Sequence, residues 1–148
     1  RLPDAGCKLR TARIRVRGRE PAFLWSRHAG TGEWVALNGR MLKERIVAIE
    51  GLLGFLVRYE RPRELAITLV ATRVDDLVAT RMRERARAGL VALCEEFGGS
   101  LSDFFDEPTI DVLDADAWNR EGGKLDVIVS KVVPETLERG ARVISARG

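Results

Sequence analysis

Between Val74 and Phe97 the apolar residues Val78, Met82, Ala86, Leu90, Leu93 and Phe97 recur on one arc at helical spacing. A helix of that length presents a long apolar stripe that has to lie against a second layer. Thr72 and Asp75 form a capping pair at its start, and Gly98-Gly99 stops it. The segments just before it supply a sheet. Leu53–Glu60, where Phe55, Val57 and Tyr59 alternate, reads as a strand, turned by Arg61-Pro62-Arg63 into a second strand, Leu65–Thr72. An earlier helix begins near Arg40, capped by Asn38, with Leu42, Ile46 and Ile49 at helical spacing. It can be run on through Leu53 to Tyr59. Gly51 and Gly54 would each weaken such a helix by about 1 kcal/mol, so a stop at Glu50-Gly51 is preferred.

The remaining elements follow the same logic. Residues 1–9 read as a tail, and Arg10–Arg17 alternates as a strand with Ala12, Ile14 and Val16 on one face. Gly18-Arg19-Glu20-Pro21 turns the chain into a hairpin of Ala22–His28 and Glu33–Leu37. Ser100–Asp106 forms one further turn before Pro108. Thr109–Ala117 and Lys124–Val133 read as strands around Asn119–Gly123, Pro134–Gly140 as a short helix, and Arg142–Ala146 as an edge strand. From Glu33 onward the order is strand, helix, strand, strand, helix, strand. That is an α+β chain with the split βαβ core (β-α-β-β-α-β) of ferredoxin-like domains, plus an added N-terminal strand pair and C-terminal β elements. At 148 residues, with no repeat or linker, it is expected to fold as one domain over 1–148.

Charge divides the chain unequally. Residues 1–87 carry nineteen basic and ten acidic side chains, a net of +9, whereas residues 88–148 carry six and twelve, a net of −6. The overall +3 conceals this split. It implies either an anionic partner for the basic half or pairing of one half with the other. Most of the positive charge is arginine, whose planar fork matches phosphate and carboxylate. Few amide residues suit a thermophile, while the excess of Arg over Lys equally fits a GC-rich genome.

Three constellations stand out. Arg13, Arg15 and Arg17 project from one strand face at steps of roughly 6.5–7 Å, a spacing near the phosphate repeat of an extended nucleic-acid strand. Arg10, Arg19 and Arg27 extend this patch, and Trp25 shares the strand parity of Arg27, an arrangement suited to stacking a base. On the long helix, Arg81 and Arg85 fall on one shoulder of the apolar arc and Arg83 and Arg87 on the other. Each pair repels at i, i+4 unless an anion lies nearby; otherwise the stems run along the core edge. The third is acidic, with Glu95, Glu96, Asp103, Asp106, Glu107, Asp111, Asp114 and Asp116 lying in a stretch free of basic residues between Arg87 and Arg120. Asp114 and Asp116 on one strand face, with Asp126 on the next, would offer a ligand set for Mg²⁺. Gly99-Ser100 followed by Asp114-Ala115-Asp116 resembles the Gly-Ser and Asp-x-Asp elements of nucleotidyltransferases. Here, however, Gly-Ser follows a long helix rather than a strand.

Other classes fall away. His28 is the sole histidine and no CxxC occurs, which excludes a Cys/His metal site. Ser26 and His28 share a strand face but belong to no nucleophile motif. Gly30-Thr31-Gly32 is a hairpin tip rather than a phosphate loop, and no cofactor motif is present. No segment reaches the roughly 20 apolar residues of a membrane helix. Cys7 and Cys94 read as free thiols in a reducing, cytoplasmic setting. The expected function is a non-catalytic module that binds a polyanion, RNA or single-stranded DNA, through Arg13, Arg15, Arg17 and Arg27, with Trp25 as a stacking surface. The alternatives are a subunit that pairs with copies of itself or a partner subunit through opposite charges, and a Mg²⁺-dependent phosphoryl- or nucleotidyl-transfer enzyme using Asp114, Asp116 and Asp126.

Overall fold

The computed structural model of the chain describes residues 23–134. The expected tail, the Arg10–Arg17 strand, the turn after it, and the expected elements after Pro134 lie outside those residues. Two sheets and four helices make up the described part, a mixed α+β architecture. Strands β1 (Phe23–Arg27) and β2 (Trp34–Asn38) form an antiparallel hairpin by themselves. Helix α1 (Gly39–Val47) follows directly, and Asn38 caps it by accepting from the N–H groups of Arg40 at 2.8 Å and Met41 at 3.4 Å.

Strands β3 (Leu52–Arg61) and β4 (Glu64–Ala71) pair antiparallel and form the centre of a four-stranded sheet. Helix α2 (Asp76–Glu96), the single-turn α3 (Leu101–Phe104), strand β5 (Thr109–Asp114), helix α4 (Ala115–Glu121) and strand β6 (Val127–Ser130) complete the described chain. The sheet order is β5-β4-β3-β6, with both outer strands parallel to their neighbours. Parallel neighbours need a crossover, and α2 supplies it between β4 and β5. The strand preceding α1 thus sits in the hairpin and outside the larger sheet.

One face of that sheet holds Phe55, Val57 and Tyr59 from β3 and Leu65, Ile67 and Leu69 from β4, all buried. Met82, Ala86, Leu90 and Leu93 of α2, Leu42 and Ile46 of α1, and Leu24 and Leu37 of the hairpin close onto it as one cluster. Each fully buried side chain of this size stabilises the fold by roughly 1.5–3 kcal/mol relative to exposure. α1 does stop before Gly51, as its glycines imply. Gly51 has φ +87°, a conformation that side chains other than glycine adopt only with strain. Gly54 on β3 is needed for a different reason: a Cβ there would lie 2.6 Å from Leu125 Cδ1.

Three expectations are corrected. Asp75 itself is the N-cap of α2, accepting from Val78 N–H at 2.8 Å, so Thr72 is not the cap. The pair of that spacing is Ser100 and Asp103 at α3, where Asp103 Oδ2 accepts from Ser100 N–H at 2.8 Å. The strand expected over Thr109–Ala117 ends at Asp114, because Asp114 accepts from Ala117 N–H at 2.8 Å and starts α4. A short cap-and-helix pattern inside an apolar run was masked by the alternation of Ile110, Val112 and Asp114. The last described strand is also shorter than Lys124–Val133, covering Val127–Ser130 alone.

Two residues fasten the hairpin and α3 to the sheet. Tyr59 Oη donates to Trp25 O at 2.9 Å, lies 2.6 Å from Ser26 Oγ and accepts from Arg63 N–H at 3.3 Å. A phenol has one proton, so Ser26 is the donor in its pair. Burial raises the Tyr59 pKa despite these bonds, so the phenol stays neutral through physiological pH. Its ring also meets Phe105 edge-on, centroids 5.4 Å apart. Arg63, at φ +69°, donates from Nε to Asp106 Oδ1 at 3.0 Å and from its terminal nitrogens to the carbonyls of Ser102, Asp103 and Phe105.

Candidate nucleic-acid interface

The hairpin register places opposed residues on common faces. Phe23 faces Asn38, Trp25 faces Ala36 and Arg27 faces Trp34, while Leu24 and Ser26 turn into the core. Strand alternation therefore puts Phe23, Trp25 and Arg27 on the outward side of β1, with Trp34 opposite Arg27 and half-buried against the core cluster. Phe23 is 49% exposed, and its ring lies 6.5 Å from that of Trp25. The Arg27 guanidinium carbon sits 5.5 Å from the Trp34 ring centroid, within cation–π range. Arg27 Nε donates to Gly32 O at 3.0 Å, which orients the fork along the hairpin tip.

Of the five expected binding residues, Trp25 and Arg27 are thus on one face of one hairpin; Arg13, Arg15 and Arg17 lie outside the described residues. Parity along one strand links Trp25 with Arg27. It does not link Arg27 with Trp34, the ring its guanidinium covers, nor add Phe23 to the set. The signal was available in the hairpin register, since an antiparallel pairing of Trp25 with Ala36 obliges Arg27 to meet Trp34.

His28 closes the hairpin and links it to α3. Its Nδ1 accepts from the N–H groups of Gly30 at 3.0 Å and Thr31 at 3.3 Å, and its Nε2 lies 3.6 Å from Asp103 Oδ2. The ring packs edge-on against Phe104, centroids 5.2 Å apart. Nδ1 is therefore engaged by the hairpin loop, while Nε2 lies beside the Asp103 carboxylate beyond hydrogen-bond distance. The nearby Ser100 hydroxyl bonds to Asp103, at 3.2 Å, rather than to the imidazole. Through Nδ1 the ring closes the hairpin loop. The Ser100 backbone N–H holds the Asp103 carboxyl below its ordinary pKa against the opposing effect of burial, helped by the Ser100 hydroxyl, His28 and Arg63.

The acidic stretch meets the basic half across the molecule. Arg45 pairs with Glu96, Arg63 with Asp106 at 3.0 Å, and Arg87 clasps Glu107 through two bonds of 2.6 and 3.0 Å. The Arg87 fork holds the Glu107 carboxyl below its ordinary value. Each of these pairs joins a base from residues 1–87 to an acid from residues 88–148, so part of the charge split is satisfied within the chain. The carboxylates expected to gather on paired strands are placed otherwise. Asp114 is a helix cap, Asp116 lies in the first turn of α4, and Asp126 has φ +63° in the loop before β6. Among the described residues no group of three or more His, Cys, Asp or Glu side chains is assembled to hold a metal ion.

The arginines of α2 divide as their helical phase implies. Arg83 Nε donates to Ile110 O at 3.1 Å, alongside the Arg87–Glu107 pair. Arg81 and Arg85 instead line a cleft on the opposite shoulder. Cys94 is free and buried, and burial, with the Asp103 and Glu95 charges, pushes its thiol up to about 12, which leaves it unreactive. No described helix is long and apolar enough to cross a membrane. Compared with models of protein families, with curated proteins and with solved structures, the chain matches none.

Proposed function

We propose that the protein is a non-catalytic module that binds single-stranded nucleic acid, RNA or DNA, across the outward face of the β1–β2 hairpin. The observation that carries this reading is the grouping of Phe23, Trp25 and Trp34 with Arg27 on one strand-paired surface. Bases stack on aromatic rings irrespective of sequence, at roughly 1–3 kcal/mol per base. Arg27 supplies a phosphate contact beside them, and the Arg13, Arg15 and Arg17 ladder would extend the cationic track. Tyr59 contributes indirectly by tethering Trp25 O and Ser26, which keeps the hairpin from rotating on the sheet.

The same reading interprets the order β2-α1-β3-β4-α2-β5 as a ferredoxin-like unit whose first strand has been drawn away to pair with β1. A reducing, cytoplasmic setting suits it, since the buried Cys94 thiol is unpaired.

The test is fluorescence titration with a labelled single-stranded oligonucleotide over a range of salt. With about four phosphates neutralised, log Kd should change with log salt at a slope of about 3 in magnitude, at roughly 0.7 per contact. Arg27→Ala should lower the slope by one contact, and Trp25→Ala should weaken binding about tenfold or more with the slope unchanged. A flat salt dependence in the parent removes the proposal.

A further inference from the structure

On the far shoulder of α2, Val78, Arg81, Met82 and Arg85 fall at i, i+3, i+4 and i+7 and form one wall of a cleft of about 340 Å³. Arg73, from the β4–α2 connection, and Ile49, from the turn between α1 and β3, face that wall. The cleft is thus half cationic and half apolar. Among the described residues, none of Arg73, Arg81 and Arg85 forms an ion pair with a carboxylate. Glu50 is the single acid of the lining, one negative charge against three positive.

Without a ligand this arrangement carries a mild repulsion that no ion pair relieves. Arg81 and Arg85 repel at i, i+4, and Arg73 adds a third like charge to the same concave space. On the opposite shoulder the same repulsion is relieved, because Glu107 reaches Arg87 and Ile110 O receives Arg83. No equivalent relief reaches the cleft from the described acidic residues. Guanidinium forks converging in a concavity match the oxygens of a phosphoryl group, which a point charge does less well. The volume lies in the range of small-molecule pockets, and the Ile49, Val78 and Met82 surface offers an apolar seat for a carbon skeleton.

We propose that this cleft binds a small organic phosphate, its phosphoryl group held by Arg73, Arg81 and Arg85 and its apolar body resting on Ile49, Val78 and Met82. The site is separate from the hairpin face and does not depend on the nucleic-acid reading. Gly51, which also lines the cleft, sits at φ +87°, a conformation that other residues adopt only with strain.

Isothermal titration calorimetry of the full chain at low ionic strength, with inorganic phosphate, pyrophosphate and adenosine 5′-diphosphate as probes, tests this. Saturable binding is expected, with the nucleotide tighter than inorganic phosphate because its base occupies the apolar seat. The Arg81→Ala/Arg85→Ala double variant, and separately Arg73→Ala, should weaken nucleotide binding about tenfold or more. The Trp25→Ala/Arg27→Ala variant should bind the nucleotide as the parent does, even if it has lost oligonucleotide. Absence of saturable heat from the parent with all three probes, or affinity that survives the loss of Arg81 and Arg85, overturns the proposal. Equal affinity for phosphate and nucleotide overturns the role given to the apolar wall.

Discussion

The two shoulders of α2 carry the same residues at the same spacing and lead different lives. On one, Arg83 and Arg87 reach β5 and the segment before it, meeting Ile110 O and both oxygens of Glu107. On the other, Arg81 and Arg85 look across a cleft at a third arginine. Neither helical propensity nor local charge distinguishes the pairs. What differs is the strand that packs beside each, and whether that strand brings a carboxylate. Identical i, i+4 arginine pairs can therefore be a strap in one place and an open anion seat in another. The lesson extends to the whole basic half: Arg45, Arg63 and Arg87 are bound to the chain's own acids, while Arg27, Arg73, Arg81 and Arg85 have no such partner among the described residues.

Removing a strap and removing a seat should accordingly have opposite signatures. The largest effect belongs to Arg63, which bonds one carboxylate and three carbonyls around α3. Arg63→Ala should cost about 2–4 kcal/mol in urea unfolding, since it leaves several polar groups unpartnered at once. A midpoint equal to that of the parent would show that the Arg63 side chain does not hold α3.

Acid should loosen the same region next. The Asp103 carboxyl has a folded pKa below its unfolded one, so its contribution is complete above the unfolded value and is lost as pH falls through the folded value. Thermal melts should therefore show the parent losing stability below about pH 4, and Asp103→Asn losing less over the same interval. Parallel curves for the two proteins would remove Asp103 from the acid response.

The smallest effects separate the shoulders directly. Arg87→Ala should lower stability at low salt, and the difference should fade near 1 M salt, where screening reaches about 3 Å. Arg81→Ala/Arg85→Ala should leave stability unchanged or raise it by about 0.3 kcal/mol through relief of repulsion. A loss as large as that of Arg87→Ala would place Arg81 and Arg85 among the straps.

Much of this protein is written locally. The stop of α1 before Gly51, the Asn38 cap, the alternation of Phe55, Val57 and Tyr59, and the apolar arc of α2 all follow from periodicity and backbone freedom. These depend on neighbours within a few positions, so reading along the chain finds them. The end of β5 at Asp114 did not follow, because one carboxylate can continue an alternating strand or cap a helix. Only the bond to Ala117 decides between them. In the proposed binding face, Trp25 and Arg27 are legible from parity, whereas Phe23 and Trp34 require the hairpin register.

Contacts between distant segments belong to a separate level. Helical phase alone split the α2 arginines into two pairs, and composition alone divided the chain into a basic and an acidic half. Which arginine meets which acid was settled by the packing of β5 beside one shoulder and of the α1–β3 turn beside the other. A side chain's phase on its helix is a property of the residues around it. Its partner comes from a segment tens of positions away, delivered by the sheet order and the crossover that joins β4 to β5.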